Sequence, residues 1–120
     1  MLIRTWSLEA MTIVDLHGRL GVESQGHLTQ AVRALVHVGR QEIVLNLLGV
    51  TAVDAAGLGE LASAFRLART AGAEVTLVVR EPTIRELLRR TKLLGVWPTF
   101  PTEAEAIASA DAKRRLTTSA

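Results

Sequence analysis

The spacing of apolar residues changes period several times along the chain, and each change predicts an element. Two short runs of β-forming residues open it, Leu2 to Ser7 and Met11 to Leu16, and their close spacing predicts an antiparallel hairpin. After Gly18 and Gly21 the period lengthens. Leu28, Ala31, Val32 and Leu35 recur at i, i+3, i+4 and i+7, one face of a helix that ends near Gly39. Ile43 to Leu47 follows as a continuous apolar run broken only by Asn46, which suits a strand buried on both faces.

The same alternation then repeats. Leu58, Leu61, Ala62, Phe65 and Ala68 form a second helical stripe, and Gly72 is placed to end it in the left-handed conformation. Val75 to Val79 is another buried strand. Pro82 in a first turn, then Ile84, Leu87, Leu88 and Thr91 on one face, predict a third helix that Gly95 stops. Val96 to Phe100, broken by Pro98, is a short edge segment. Thr102 and Glu105 make a T-x-x-E capping box ahead of Ala104, Ile107 and Ala108. Strands alternating with helices mean parallel strands joined by crossovers, so the expected class is α/β. The domain is expected over residues 1–111, with 112–120 as a flexible tail.

The connection after Leu47 departs from this pattern. It reads as a loop containing Gly49 that carries Thr51, Val53 and Asp54 into a helix beginning Ala-Ala-Gly-Leu-Gly. Asp54 stands at the N-cap position, where a carboxylate accepts from the free amides of the first turn. Ala55, Ala56, Gly57 and Gly59 strip side-chain bulk from that turn, which would let another protein approach the backbone. Two glycines in one helix start each cost roughly 0.5 to 1 kcal/mol relative to alanine, so they need a reason. Close packing on the sheet is one, and a docking surface is another.

Composition narrows the choices. At 120 residues and 48% hydrophobic content the chain is one domain's worth, able to bury roughly two thirds of its unfolded surface. It has no cysteine, so neither disulfides nor thiolate metal sites are available. Formal net charge is only +2, aromatic residues are 3% and tyrosine is absent, which argues against a nucleic-acid partner that stacks bases on aromatic rings. No apolar run approaches the ~20 residues that span a bilayer, and Met1 to Ser7 lacks the layout of a secretory signal, so membrane insertion is not expected and the expected place is the cytoplasm. His27 and His37 have no nearby acidic pair at ligand spacing, His17 fits the same ordinary surface or capping role, and no serine lies in a G-x-S-x-G context. No metal, no cofactor and no catalytic activity are expected.

The run from Asn46-Leu47 through Gly49, Val50, Val53, Asp54, Gly57, Leu58 and Gly59 resembles the signature of the STAS domain. That family includes anti-sigma factor antagonists, stressosome subunits and the tails of sulfate transporters. Glu81-Pro82, Leu87-Leu88, Leu94-Gly95, Trp97 to Phe100, Glu103 and Glu105 extend the likeness over nearly the whole chain. The resemblance implies a single STAS-like domain, with a mixed, mostly parallel sheet of four to five strands and about four helices. It implies partner binding through Asp54, Ala55, Ala56, Gly57, Leu58, Thr51 and Arg19, the partner being an anti-sigma factor with a kinase-like ATPase fold or another switching protein. On that reading Gly57→Arg abolishes partner binding and leaves the domain folded.

In antagonists of the family a serine directly after the signature Asp is phosphorylated to break the complex. Here that position is Ala55, and the next is Ala56, so no acceptor hydroxyl is present. Asn46 stands where Asp is common, and Gly21 where the preceding loop often presents an Asp. A rival within the family is a subunit docking on the ATPase of a lipid-transport ABC system. A rival outside it is nucleotide binding through Gly57, Gly59 and Ala62 as G-x-G-x-x-A, against which the nine residues between Leu47 and Gly57 argue.

Overall fold

A computed structural model describes residues 1–90 and 98–118, with side chains through Lys113. The order is β1 (Leu2–Leu8), β2 (Met11–Leu20), a 3₁₀ turn (Val22–Ser24), α1 (His27–His37), β3 (Glu42–Val53), α2 (Ala55–Thr70), β4 (Glu74–Val78), α3 (Pro82–Arg90), β5 (Thr99–Phe100) and α4 (Glu103–Thr118). The strands form one sheet in the order β1-β2-β3-β4-β5. β1 is antiparallel to β2 and every other neighbouring pair is parallel. The expected mixed, mostly parallel α/β sheet is therefore found, with five strands and four α-helices among the described residues.

Two cores follow from the alternation of side chains across the sheet. On one face Val14 and Leu16 of β2, Ile43 and Leu45 of β3, and Leu77 of β4 pack against Leu28, Val32, Leu61, Ile84 and Leu88 of α1, α2 and α3. On the other face Met11, Ile13, Val44 and Val78 lie under α4, whose Ala106 and Ala110 are one turn apart. A sheet buried on both faces explains why β3 and β4 read as continuous apolar runs rather than alternating ones.

Several boundaries move. The predicted hairpin closes through Glu9 and Ala10, with Glu9 at φ 56°, but β2 runs on to Leu20. β3 runs on to Val53, so the segment Gly49 to Val53 is strand and not loop. It pairs with His17 to Leu20 of β2 through two register shifts, whereas β4 stops opposite Asn46. A stretch paired on one side only carries Thr51 and Ala52 exposed, and so loses the apolar continuity that marked its first half. Gly72 at φ 78° stands just past α2, as its placement predicted. The Thr102 hydroxyl accepts from the Glu105 amide at 3.2 Å, the first half of the expected capping box. α4 continues through Asp111 to Thr118, across the segment read as a tail, and its Lys113 pairs with Glu74 at the start of β4. β5 is two residues long, and the expected roles of Thr91, Leu94, Gly95, Val96 and Trp97 lie outside the described residues.

Candidate protein-docking site

The ends of β2 and β3 and the start of α2 meet at one corner. Asp54 caps α2: its Oδ1 accepts from the Gly57 amide at 2.9 Å, while its own N–H donates to the Leu20 carbonyl at 3.2 Å. The same carboxylate reaches across to the turn after β2, where the Val22 amide lies 3.4 Å from Oδ2. The Gly57 amide first, then those of Val22 and Ala56 and the charge of Arg19, hold the Asp54 carboxyl below the ordinary aspartate value. One carboxylate thus fastens two elements, and it is ionised at neutral pH.

Beside it lies a depression of about 330 Å³ lined by Arg19, Leu20, Gly21, Val22, Glu23, Ala52, Val53 and Asp54. Ser24 stiffens its rim from below. Buried, it accepts from the Gly21 amide at 3.1 Å and lies 3.2 Å from the carbonyl oxygens of Arg19 and Gly21. Gly21, in extended backbone, is buried, and a Cβ there would stand 2.8 Å from the Asp54 carboxyl carbon. The space that a side chain at 21 would fill is taken by Asp54. An aspartate at 21 would also set a second carboxylate against the first, so the departure at Gly21 and the retention of Asp54 are one feature.

Of the seven partner-binding candidates, Arg19 and Asp54 line this depression, and Ala55 and Ala56 follow directly, exposed and half-buried. Thr51 is exposed on β3 and Leu58 half-buried against the main core. Gly57 requires a correction. It is buried, and a Cβ would stand 2.7 Å from the Leu20 carbonyl carbon and 3.1 Å from Val53 Cγ1. It is the contact by which α2 lies against β2, not a surface, so Gly57→Arg would break the corner rather than leave the domain folded. Gly59 is different: nothing comes within 4 Å of a Cβ built there.

A second groove, of about 930 Å³, separates α1 from α2 and is lined by Gln25, Gly26, Thr29, Arg33, Ala56, Gly59, Glu60, Ser63, Arg66, Leu67 and Thr70. At its floor Glu60 is 5% exposed and accepts from the Thr29 amide at 3.1 Å and the Thr29 hydroxyl at 3.4 Å. It caps α1 from a neighbouring helix, because the N-cap residue Gly26 has no side chain to do so. Its other oxygen is buried without a hydrogen-bond partner. Sequence reading passed over Glu60 and Ser24. A lone carboxylate between Leu58 and Leu61 in an apolar stripe was the available signal for the first, and a serine three residues past Gly21, just after β2, for the second.

The extension of β3 to Val53 removes the spacing argument against a dinucleotide turn, since Gly57 follows the strand closely. The corner itself supplies a better one. Gly57 is sealed against Leu20, and an ionised carboxylate already occupies the amides a pyrophosphate would need. Among the described residues no helix is long and apolar enough to cross a membrane.

The sequence matches the family model of the STAS domain over residues 5–106. Among solved structures, an anti-sigma factor antagonist from Mycobacterium paratuberculosis superposes with a TM-score of 0.82 at 22% identity, covering 92% of this chain and 93% of that one. The Bacillus cell fate determinant SpoIIAA in its phosphorylated form superposes with a TM-score of 0.72 at 20% identity, covering 90% and 98%. A sulfate transporter family protein from Wolinella succinogenes superposes at 0.71 and 16% identity, covering 86% of each chain. No curated protein sequence gives a match. With the match covering most of both cores and the Asp54 corner, the chain belongs to the STAS domain family.

Proposed function

We propose that this chain is a non-catalytic, cytoplasmic binding module resembling an anti-sigma factor antagonist, which engages its protein partner without being switched at the usual position. The observation that carries this reading is Ala55, exposed directly after the Asp54 cap and bearing a methyl group where the family's acceptor serine stands. The corner of Arg19, Asp54, Ala55 and Ala56 offers a partner a low-relief surface with one fixed negative charge and one positive charge. A phosphate on residue 55 would add nearly two negative charges beside ionised Asp54, a strong local perturbation of any interface. The alanine removes that option and leaves the surface. Regulation then falls to the partner or to another member of the switching system.

The test pairs the chain with the kinase-type anti-sigma factor of its host. Wild-type chain is expected to bind and to take up no phosphate from ATP, whereas Ala55→Ser binds and becomes labelled at that residue. Labelling of the wild type between Thr51 and Gly59 would sink the reading. Recovery of an ABC transporter ATPase instead of an anti-sigma factor in a native pull-down would reassign the same surface to a transport assembly.

A further inference from the structure

The sheet ends differently at its two sides. β5 is two residues long, too short to template another strand, but among the described residues β1 presents seven residues with one edge unpaired. β1 is also where exposed apolar surface concentrates: Leu2, Trp6 and Leu8 are 51%, 45% and 44% exposed. All three sit at alternate positions and share one face with Arg4, the face on which Trp6 is paired with Ile13 and Leu8 with Met11 of the α4 core. Arg4 has no salt-bridge partner among the described residues.

We propose that two copies of this chain pair antiparallel through their β1 edges, about a two-fold axis at Thr5, to make one continuous ten-stranded sheet. On this exposed face β1 is self-complementary in that register and in neither neighbouring register that keeps the same face. With Thr5 opposite Thr5, each Arg4 faces the other copy's Trp6 and each Leu2 faces Leu8. The exposed face then carries two guanidinium–indole pairs flanked by two leucine pairs, the contacts that stabilise cross-strand neighbours. Because opposed residues must share a sheet face, the neighbouring registers lie two residues away: an axis at Arg4 sets the two guanidinium groups against each other, and an axis at Trp6 sets each Arg4 against Leu8. The arrangement is isologous and closes on itself, so it ends at two copies rather than propagating. Continuity with an existing groove supports it further. Leu8, Met11, Ala104, Ile107 and Ala108 form the apolar part of a cavity of about 480 Å³ between the hairpin and α4, which Glu9 and Asp111 also line, and the incoming Leu2 would seat at its Leu8 edge. The interface involves no residue of α2, so the docking corner stays exposed in each copy.

The absence of cysteine makes the register testable. Cα atoms directly opposite in an antiparallel pair are about 4.5 to 5.5 Å apart, within disulfide range, so Thr5→Cys should cross-link to a covalent dimer on mild oxidation. Ser7→Cys should not, because four residues of strand, roughly 14 Å, would separate the two thiols. By sedimentation equilibrium, Trp6→Lys should weaken the dimer by about tenfold or more through loss of the cation–π pairs and repulsion from Arg4. The double variant Arg4→Glu/Trp6→Lys, which puts opposite charges across the same pairs, should restore it. A monomer at the highest soluble concentration would overturn the proposal, as would cross-linking of Ser7→Cys in preference to Thr5→Cys. A dimer that Trp6→Lys leaves unchanged would place the interface elsewhere and overturn it equally.

Discussion

Gly57 and Gly59 stand two residues apart on one helix and answer to opposite constraints. Gly57 is fixed by the Leu20 carbonyl pressed against it, and Gly59 borders open groove. Alanine at 57 therefore costs about 1 to 3 kcal/mol through overpacking at a backbone contact that has no rotamer to yield. Alanine at 59 gains about 0.5 to 1 kcal/mol by restoring helix propensity without a clash. Urea denaturation of the two single variants measures both, and equal effects would show that the helix start is not seated as described. The pair also shows why a signature reads ambiguously: two identical letters, one holding the helix to the sheet and one leaving a surface bare. Asp54 has the same double character, since it caps a helix and fills the space over Gly21 with one carboxylate.

Between elements, the sheet and α4 are joined by a polar staple inside a largely apolar interface. The buried Asn46 amide donates to Glu103 Oε2 at 2.6 Å, and its carbonyl oxygen accepts from the Leu48 amide at 2.9 Å. This accounts for an asparagine where the family resemblance led to the expectation of an aspartate: the residue facing it is itself an acid. Asn46→Asp would bring two carboxylates together and remove the donor, at a cost of about 1 to 3 kcal/mol near neutral pH. The new carboxyl, buried beside Glu103, would have a folded-state pKa raised above its unfolded value. The folded form then binds the extra proton more tightly, so the destabilisation is full above that raised pKa and shrinks as pH falls through it. Denaturation of wild type and variant at neutral and at acid pH checks the sign. A gap that widens in acid would remove Glu103 from the account.

At the scale of the whole molecule, acid stability depends on carboxylates whose pKa values the fold lowers: Asp54 by the Gly57 amide, Glu81 by the Ile84 amide, and Glu86 by Arg89. Such groups contribute stability that is complete above their unfolded pKa values and is lost as pH falls through the lowered folded ones. Thermal melts should therefore hold steady down to the carboxylate range and fall below it, and Asp54→Asn/Glu81→Gln should flatten that fall; an unchanged acid limb would refute the assignment. What the sequence made legible was periodic or local. The stripes of α1 and α2, the Gly72 stop, the Thr102 cap and the Asp54 cap each depend on residues within a turn or two. What it hid depends on distant partners: Gly57 sealed by Leu20, Glu60 capping Thr29, and α4 carried past Asp111 with Lys113 set on Glu74. The extra length of β3 was hidden for the same reason, and it shapes how the corner behaves. Beyond His17 and Asn46 neither β1 nor β4 continues, so β2 and β3 project as a two-stranded ribbon with shifted register. The corner proposed to dock a partner therefore rides on a cantilever, anchored in the sheet at one end and tied at the other by Asp54 and Leu20. With no strand on either flank, the ribbon is held by buried Leu20, Leu47 and Val50 and by the Gly57 contact rather than by further sheet hydrogen bonds, so for the partner proposed above affinity would depend on that packing as well as on surface contact.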